Sequence, residues 1–154
     1  MTATNGQGEL GDLSPAESFR LGTEALNARN YPAAHRYLQA AVERERTADH
    51  LSQYALALVH HTGNLHAAVA LCQEAVKKEP RDAEQYLRMG TVYLVGGRKR
   101  EAVRILNLGL RVGRHPGITR LLQILGQRKR PVLPFLSRNN PLNKYLGKIR
   151  SGRS

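Results

Sequence analysis

The sequence predicts an all-α chain built from stacked helix pairs. Small residues recur every 34 positions: Ala34, Ala68 and Ala102 form one series, and Ala41, Ala75 and Gly109 another. Gly22 and Gly90 stand two such periods apart. The apolar residues are mostly Leu, Ala and Val, with two Phe and no Trp in 154 residues, a composition that suits packed helices better than a sheet. Helix start and stop signals also fall in step with the period. A unit of this length cannot bury its own apolar face, so successive units stack.

The elements follow in order. Residues 1–14 are expected to be a flexible lead-in, with neither the basic start nor the apolar run of a secretory leader. Ser14 can cap a helix with Pro15 at its first position and Glu17 three residues on, a capping box. Asn30-Tyr31-Pro32, Thr62-Gly63-Asn64 and Gly96-Gly97 are the turns inside the three units. Pro80-Arg81-Asp82 and His115-Pro116-Gly117 mark unit ends. The units are therefore 15–48, 49–82 and 83–116. Helices are expected near 15–29, 33–46, 49–61, 65–78, 83–95 and 99–112. A seventh, over 117–128, carries Ile118, Leu121, Leu122 and Leu125 on one side and would cap the stack.

The period has a steric logic. Two antiparallel helices approach closely only where one of the facing side chains is Gly or Ala, and larger residues between those places fill the space to the next unit. This pattern resembles the tetratricopeptide repeat. The third unit matches best, through Tyr86, Met89, Gly90, Tyr93, Ala102, Leu106 and Gly109. The first contributes Leu21, Gly22, Ala25, Ala34, Leu38 and Ala41; the second Ala55, Leu56, Val59, Ala68, Cys72, Ala75 and Pro80. The second unit departs by placing Leu56 where Gly is usual, so its two helices are expected to splay slightly. The resemblance implies a right-handed α-solenoid over residues 15–116 and a non-catalytic role in binding peptides or proteins.

The available chemistry is consistent with that role. Cys72 is the single cysteine, so there is no internal disulfide, and a reducing, cytoplasmic setting is expected. It sits at a packing place beside Ala68 and Ala75, as a small core residue would. His60 and His61 are adjacent, about 100° apart on a helix, and no Cys, Asp or Glu completes a metal set beside them. No catalytic grouping, phosphate loop, cofactor site or small-molecule site is apparent. No window approaches the eighteen apolar residues of a membrane span.

The resemblance also places a concave groove on the first helix of each unit. Its candidate lining is Phe19, Arg20, Thr23 and Leu26, then His50, Gln53, Tyr54, Ala57 and His60, then Glu84, Leu87, Arg88, Thr91 and Leu94. An extended or helical peptide fits such a face. Some family members hold a peptide carboxylate with a Lys/Asn/Arg clamp. Only Arg88 matches here, with Phe19, Thr23 and Glu84 at other clamp places, which argues against that mode.

Charge is divided along the chain. Residues 1–97 hold nine Lys/Arg and eleven Asp/Glu; residues 98–154 hold fifteen Lys/Arg and one acid, Glu101. The net values, −2 and +14, give the overall +12. Residues 129–154 read as a basic tail: a Pro-spaced apolar arm, then a short amphipathic helix near 141–150 with Leu142, Tyr145, Leu146 and Ile149 in one stripe. The candidate contact cations here are Arg128, just before the tail, and Lys129, Arg130, Arg138, Lys144, Lys148 and Arg150 within it. Three uses stay open: folding back on the solenoid, docking on an acidic partner or anionic membrane surface, and contact with nucleic-acid phosphates. The expected function is a protein–protein adaptor or small chaperone of the cytoplasm, able to sit peripherally at a membrane. The alternative is an RNA-binding protein that uses the basic C-terminal third.

Overall fold

The structure, a computed structural model, describes residues 6–126. Among them are eight helices and no strand: α1 (Gly6–Asp12), α2 (Pro15–Asn27), α3 (Tyr31–Arg44), α4 (Ala48–Thr62), α5 (Leu65–Lys78), α6 (Ala83–Val95), α7 (Lys99–Val112) and α8 (Pro116–Gly126). A compact unit spans Met1–Leu122; the second unit, from Gln123, contributes only the last turn of α8 to the described residues. The basic tail anticipated from residue 129, its amphipathic helix and the seven named cations lie outside the described residues.

Local chemistry starts α2 to α6 where the sequence requires. Ser14 Oγ accepts from Glu17 N at 3.2 Å while Ser14 N donates to Glu17 Oε2 at 2.9 Å, the reciprocal box that opens α2. Asn30, Thr47, Asn64 and Asp82 cap α3, α4, α5 and α6 with side-chain oxygens. The segment expected to be a flexible lead-in carries α1. Its three glycines give it little helix propensity. Arg44 of α3 reaches back to donate to the Gly11 carbonyl at 2.5 Å and to the Leu13 carbonyl. A tertiary contact thus satisfies carbonyls that the short helix leaves open.

The three turns inside the units share one backbone device. Arg29, Gly63 and Gly97 adopt φ of 59°, 72° and 75°, and the three positions are 34 apart. In the first and third turns a six-to-one bond closes the helix: Asn30 N to Ala25 O and Arg98 N to Tyr93 O, both 2.8 Å. Gly takes this left-handed conformation freely, whereas Arg29 does not.

α2 packs on α3, α4 on α5 and α6 on α7, and each later pair leans on the one before it, so the units form an α-solenoid. The repeat glycines are steric necessities. A Cβ on Gly22 would stand 2.5 Å from Leu38 Cγ, and one on Gly90 would stand 2.6 Å from Leu106 Cδ2. In the second unit the sizes are exchanged: Leu56 replaces the glycine, and Cys72 replaces the facing leucine. Leu56 packs against the cluster that holds Cys72, Val59, Met89 and Val92, so a smaller facing residue makes room for the larger one. At the far end Ile118 of α8 is fully buried, and a Cβ on Gly109 would stand 2.7 Å from its Cδ1.

Candidate functional site

A groove of about 660 Å³ lies among the first helices of the three units. α2 contributes Leu26 and Asn27, the following turn Arg29, the start of α3 Tyr31, α4 Gln53, Leu56 and His60, and α6 Glu84, Leu87, Arg88 and Thr91. α2 touches α4 only lightly, whereas α4 and α6 are in broad contact. The groove therefore opens between the first unit and the other two.

Seven of the fourteen residues anticipated for a peptide groove line it: Leu26, Gln53, His60, Glu84, Leu87, Arg88 and Thr91. The other seven, Leu94 among them, do not. Phe19 lies against the buried His50, ring centroids 4.8 Å apart, and packs with Leu26 on the cluster of Ala34, Leu38 and Ala57. Arg20 is exposed and pairs with Glu24 at 2.7 Å. Thr23 Oγ1 is buried without a hydrogen bond. Ala57 is fully buried, and Tyr54 lies against α3, its hydroxyl 3.4 Å from His35 Nε2. Helix periodicity selects a face about half a turn wide, but the same face of α4 must both seal against α3 and open to the groove.

Arg88, the one match to a carboxylate clamp, is engaged within the protein. Its Nη1 donates to Asp49 Oδ1 at 2.7 Å and to Ser52 Oγ at 2.9 Å, and its Nε to Glu84 Oε1 at 3.1 Å. Glu84 Oε2 in turn stands 2.8 Å from His115 Nε2. Gln85 Nε2 donates to Asp49 at 3.0 Å and to Asp82 at 2.9 Å. This chain of bonds ties α4 to α6 and α6 to the start of α8. The Arg88 side chain is 15% exposed, so its charge is already answered by two carboxylates.

The opposite wall is aromatic and cationic. Tyr31 and His60 stack face to face, centroids 4.4 Å apart and planes 1° apart. Burial, helped by the nearby Arg29 charge, holds His60 below the ordinary histidine range and so favours neutral imidazole. Behind it, His35 lies 5.1 Å from the His61 ring and is lowered by burial and by that neighbour. Arg29 is exposed at the rim, and no described carboxylate pairs with it. Sequence reasoning passed over Arg29, Tyr31 and Asn27 because they sit in or beside the turn that joins α2 to α3, at the helix ends rather than along a helix face. The 34-residue register was the available signal: it sets Arg29 where the other units have Gly63 and Gly97.

Among the described residues no cluster of three His, Cys, Asp or Glu could hold a metal ion. No described helix is long and apolar enough to cross a membrane.

Residues 19–83 match the tetratricopeptide repeat family. Over that span the sequence carries tetratricopeptide repeats. Among solved structures the chain is similar to the TPR2B domain of yeast Sti1, determined as a complex with pHsp70. The TM-score is 0.59 at 20% sequence identity, covering 73% of this chain and 90% of that one. No curated protein matches the sequence. At this identity the likeness speaks for the fold alone, a stack of antiparallel helix pairs.

Proposed function

We propose that the chain is a non-catalytic protein–protein adaptor that holds a peptide segment in the groove between its first unit and the other two. The observation that carries this reading is Arg29. A non-glycine residue in the left-handed region costs about 1 kcal/mol relative to Gly, and strain of this kind collects at sites of function. Arg29 holds that conformation at a position where the sister turns have Gly63 and Gly97, and its side chain lines the groove. Its charge has no carboxylate partner among the described residues, whereas Arg88 has two.

The groove chemistry then describes the ligand. Leu26, Leu56 and Leu87 offer apolar contacts, Gln53 and Asn27 offer amides, and the Tyr31–His60 stack forms a flat wall. A peptide with apolar side chains and an acidic group directed at Arg29 suits this lining. The clamp residue of the family being engaged elsewhere, the acidic group meets one arginine rather than a set of clamp residues. The pHsp70 complex of the Sti1 domain supports a protein or peptide as the class of partner. The basic tail offers a second contact to an acidic partner or surface.

The test is selection of peptides from a random display library on the full-length chain, followed by titration calorimetry. Leu87→Ala and Arg29→Gly should each weaken the selected peptides about tenfold or more. Arg29→Gly should at the same time raise the melting temperature, since it removes the strain. Affinity unchanged in both variants would exclude this groove as the binding site.

A further inference from the structure

The outer face of α7 carries a line of cations that the repeat does not call for. Arg100, Arg104 and Arg111 are exposed. At 100° per residue they fall within about 40° of one another, and at 1.5 Å per residue they extend for about 16 Å along the helix. The buried residues Ala102, Leu106 and Gly109 occupy the opposite side. Glu101, the one acid of α7, pairs with Arg98 at 3.5 Å, and no described carboxylate pairs with the three arginines.

The sister helices act as an internal control. In the same register α3 has Pro32, Arg36 and Glu43, and α5 has His66, Ala70 and Lys77. The solenoid therefore forms without a cationic ridge, and the arginines of α7 serve something other than folding. We propose that this ridge binds the phosphodiester backbone of a nucleic-acid duplex, RNA or DNA, without reading its sequence.

Three features favour this partner. All three residues are Arg, whose planar fork suits phosphate oxygens. A straight line of cations on one rigid helix is the electrostatic footprint of backbone binding. Arg114 and Arg120, which follow α7 in the chain, are exposed as well. A membrane surface fits less well, because a helix that lies in a bilayer interface buries its apolar face there, and the apolar face of α7 is already spent on the core. An acidic protein would need a central apolar or aromatic anchor. The ridge has none; Leu108 and Leu110 flank it at 39% and 37% exposure. The absence of aromatic residues on α7 also argues for duplex over single strand, where bases stack on rings. This inference stands independently of the peptide groove.

The experiment measures anisotropy of labelled short RNA and DNA duplexes with the full-length chain across about 50 to 200 mM salt. Affinity should fall steeply with salt. For the DNA duplex, Arg100→Gln, Arg104→Gln and Arg111→Gln combined should flatten the slope of log K against log salt by about 2.7, or about 0.9 for each phosphate released. Each single change should flatten it by about a third of that, which keeps the test open if the triple variant folds poorly. Arg36→Gln, the counterpart of Arg104 on α3, should leave the slope unchanged. The proposal is overturned if the triple variant binds both duplexes as the wild type does, if Arg36→Gln has the same effect as Arg104→Gln, or if anionic phosphatidylserine vesicles are bound and neither duplex is.

Discussion

Arg88 donates to Asp49 across 2.7 Å, and that bond joins the first helix of the third unit to the first helix of the second. The pair also bridges the two exposures: the arginine is 15% exposed and the aspartate 58%. Such a half-buried pair contributes more than a surface pair but less than a core one. Arg88→Leu should lower stability by about 1–2 kcal/mol, read by chemical denaturation.

The same pair sets an acid limit. Burial raises the Asp49 carboxyl, but hydrogen bonds from Arg88 and Gln85, with the charges of Arg88 and His50, outweigh it and hold the group below its ordinary 3.8. A carboxylate lowered on folding stabilises the fold above its unfolded pKa and loses that contribution as pH falls through the folded value. The stability gap between wild type and Arg88→Leu should therefore be constant above about pH 5 and shrink below pH 4. A gap that persists at the lowest accessible pH would mean that the bond to Asp49 is not its source.

His35 and His60 act in the same direction at milder pH. Burial lowers both below the ordinary 6.5, aided by His61 for the first and Arg29 for the second. Their neutral forms fit the α3–α4 packing, so their contribution is present above about pH 6.5 and is lost as pH falls below it. Melting temperature should drop between pH 7 and pH 5, and the double variant His35→Gln/His60→Gln should show a shallower drop. Parallel curves for the two proteins would refute the assignment.

Leu56 and Cys72 should be energetically coupled. Cys72→Leu alone overpacks the second unit and should cost about 1–3 kcal/mol. Leu56→Gly alone opens a cavity and adds a helix glycine, at about 3 kcal/mol. Together they restore the size pattern of Gly22 with Leu38 and Gly90 with Leu106, so the double variant should be at least about 1 kcal/mol more stable than the sum of the singles implies. Strict additivity would show that the two side chains do not share one space.

Cys72 should be silent until the chain unfolds. Its thiol is fully buried, and burial pushes it up to about 12, so thiolate is scarce at neutral pH. A colourless-to-yellow thiol reagent should titrate one sulfhydryl in denaturant and essentially none in the native chain. Rapid native labelling would place Cys72 outside the core.

Much of the fold was legible because it repeats. A period of 34 aligns the glycines, the packing leucines and the turn residues, and the starts of α2 to α6 carry their own capping oxygens, so element order and pairing could be read locally. α1 was not legible. Its sequence, GQGELGD, argues against helix, and only the reach of Arg44 across more than thirty residues accounts for it. The site was half legible. Gln53, His60, Leu87, Arg88 and Thr91 share a groove as their register implied, while Tyr54 and Ala57, on the same helix as Gln53, turn into the seam with α3.

By itself, then, the sequence determined the repeat, its turns, its small-for-large contacts and the division of charge, because each depends on spacing along one chain. Only the tertiary structure decided which polar groups are free to meet a partner. Arg88 was the expected cation of the groove, yet Asp49 and Glu84, one of them on a neighbouring helix, hold it in place. Arg29 reads as an ordinary turn residue until its φ of 59° and its place on the groove rim are seen together. Whether a charge is answered from within depends on which helices stand beside it, and that is a property of packing, not of periodicity.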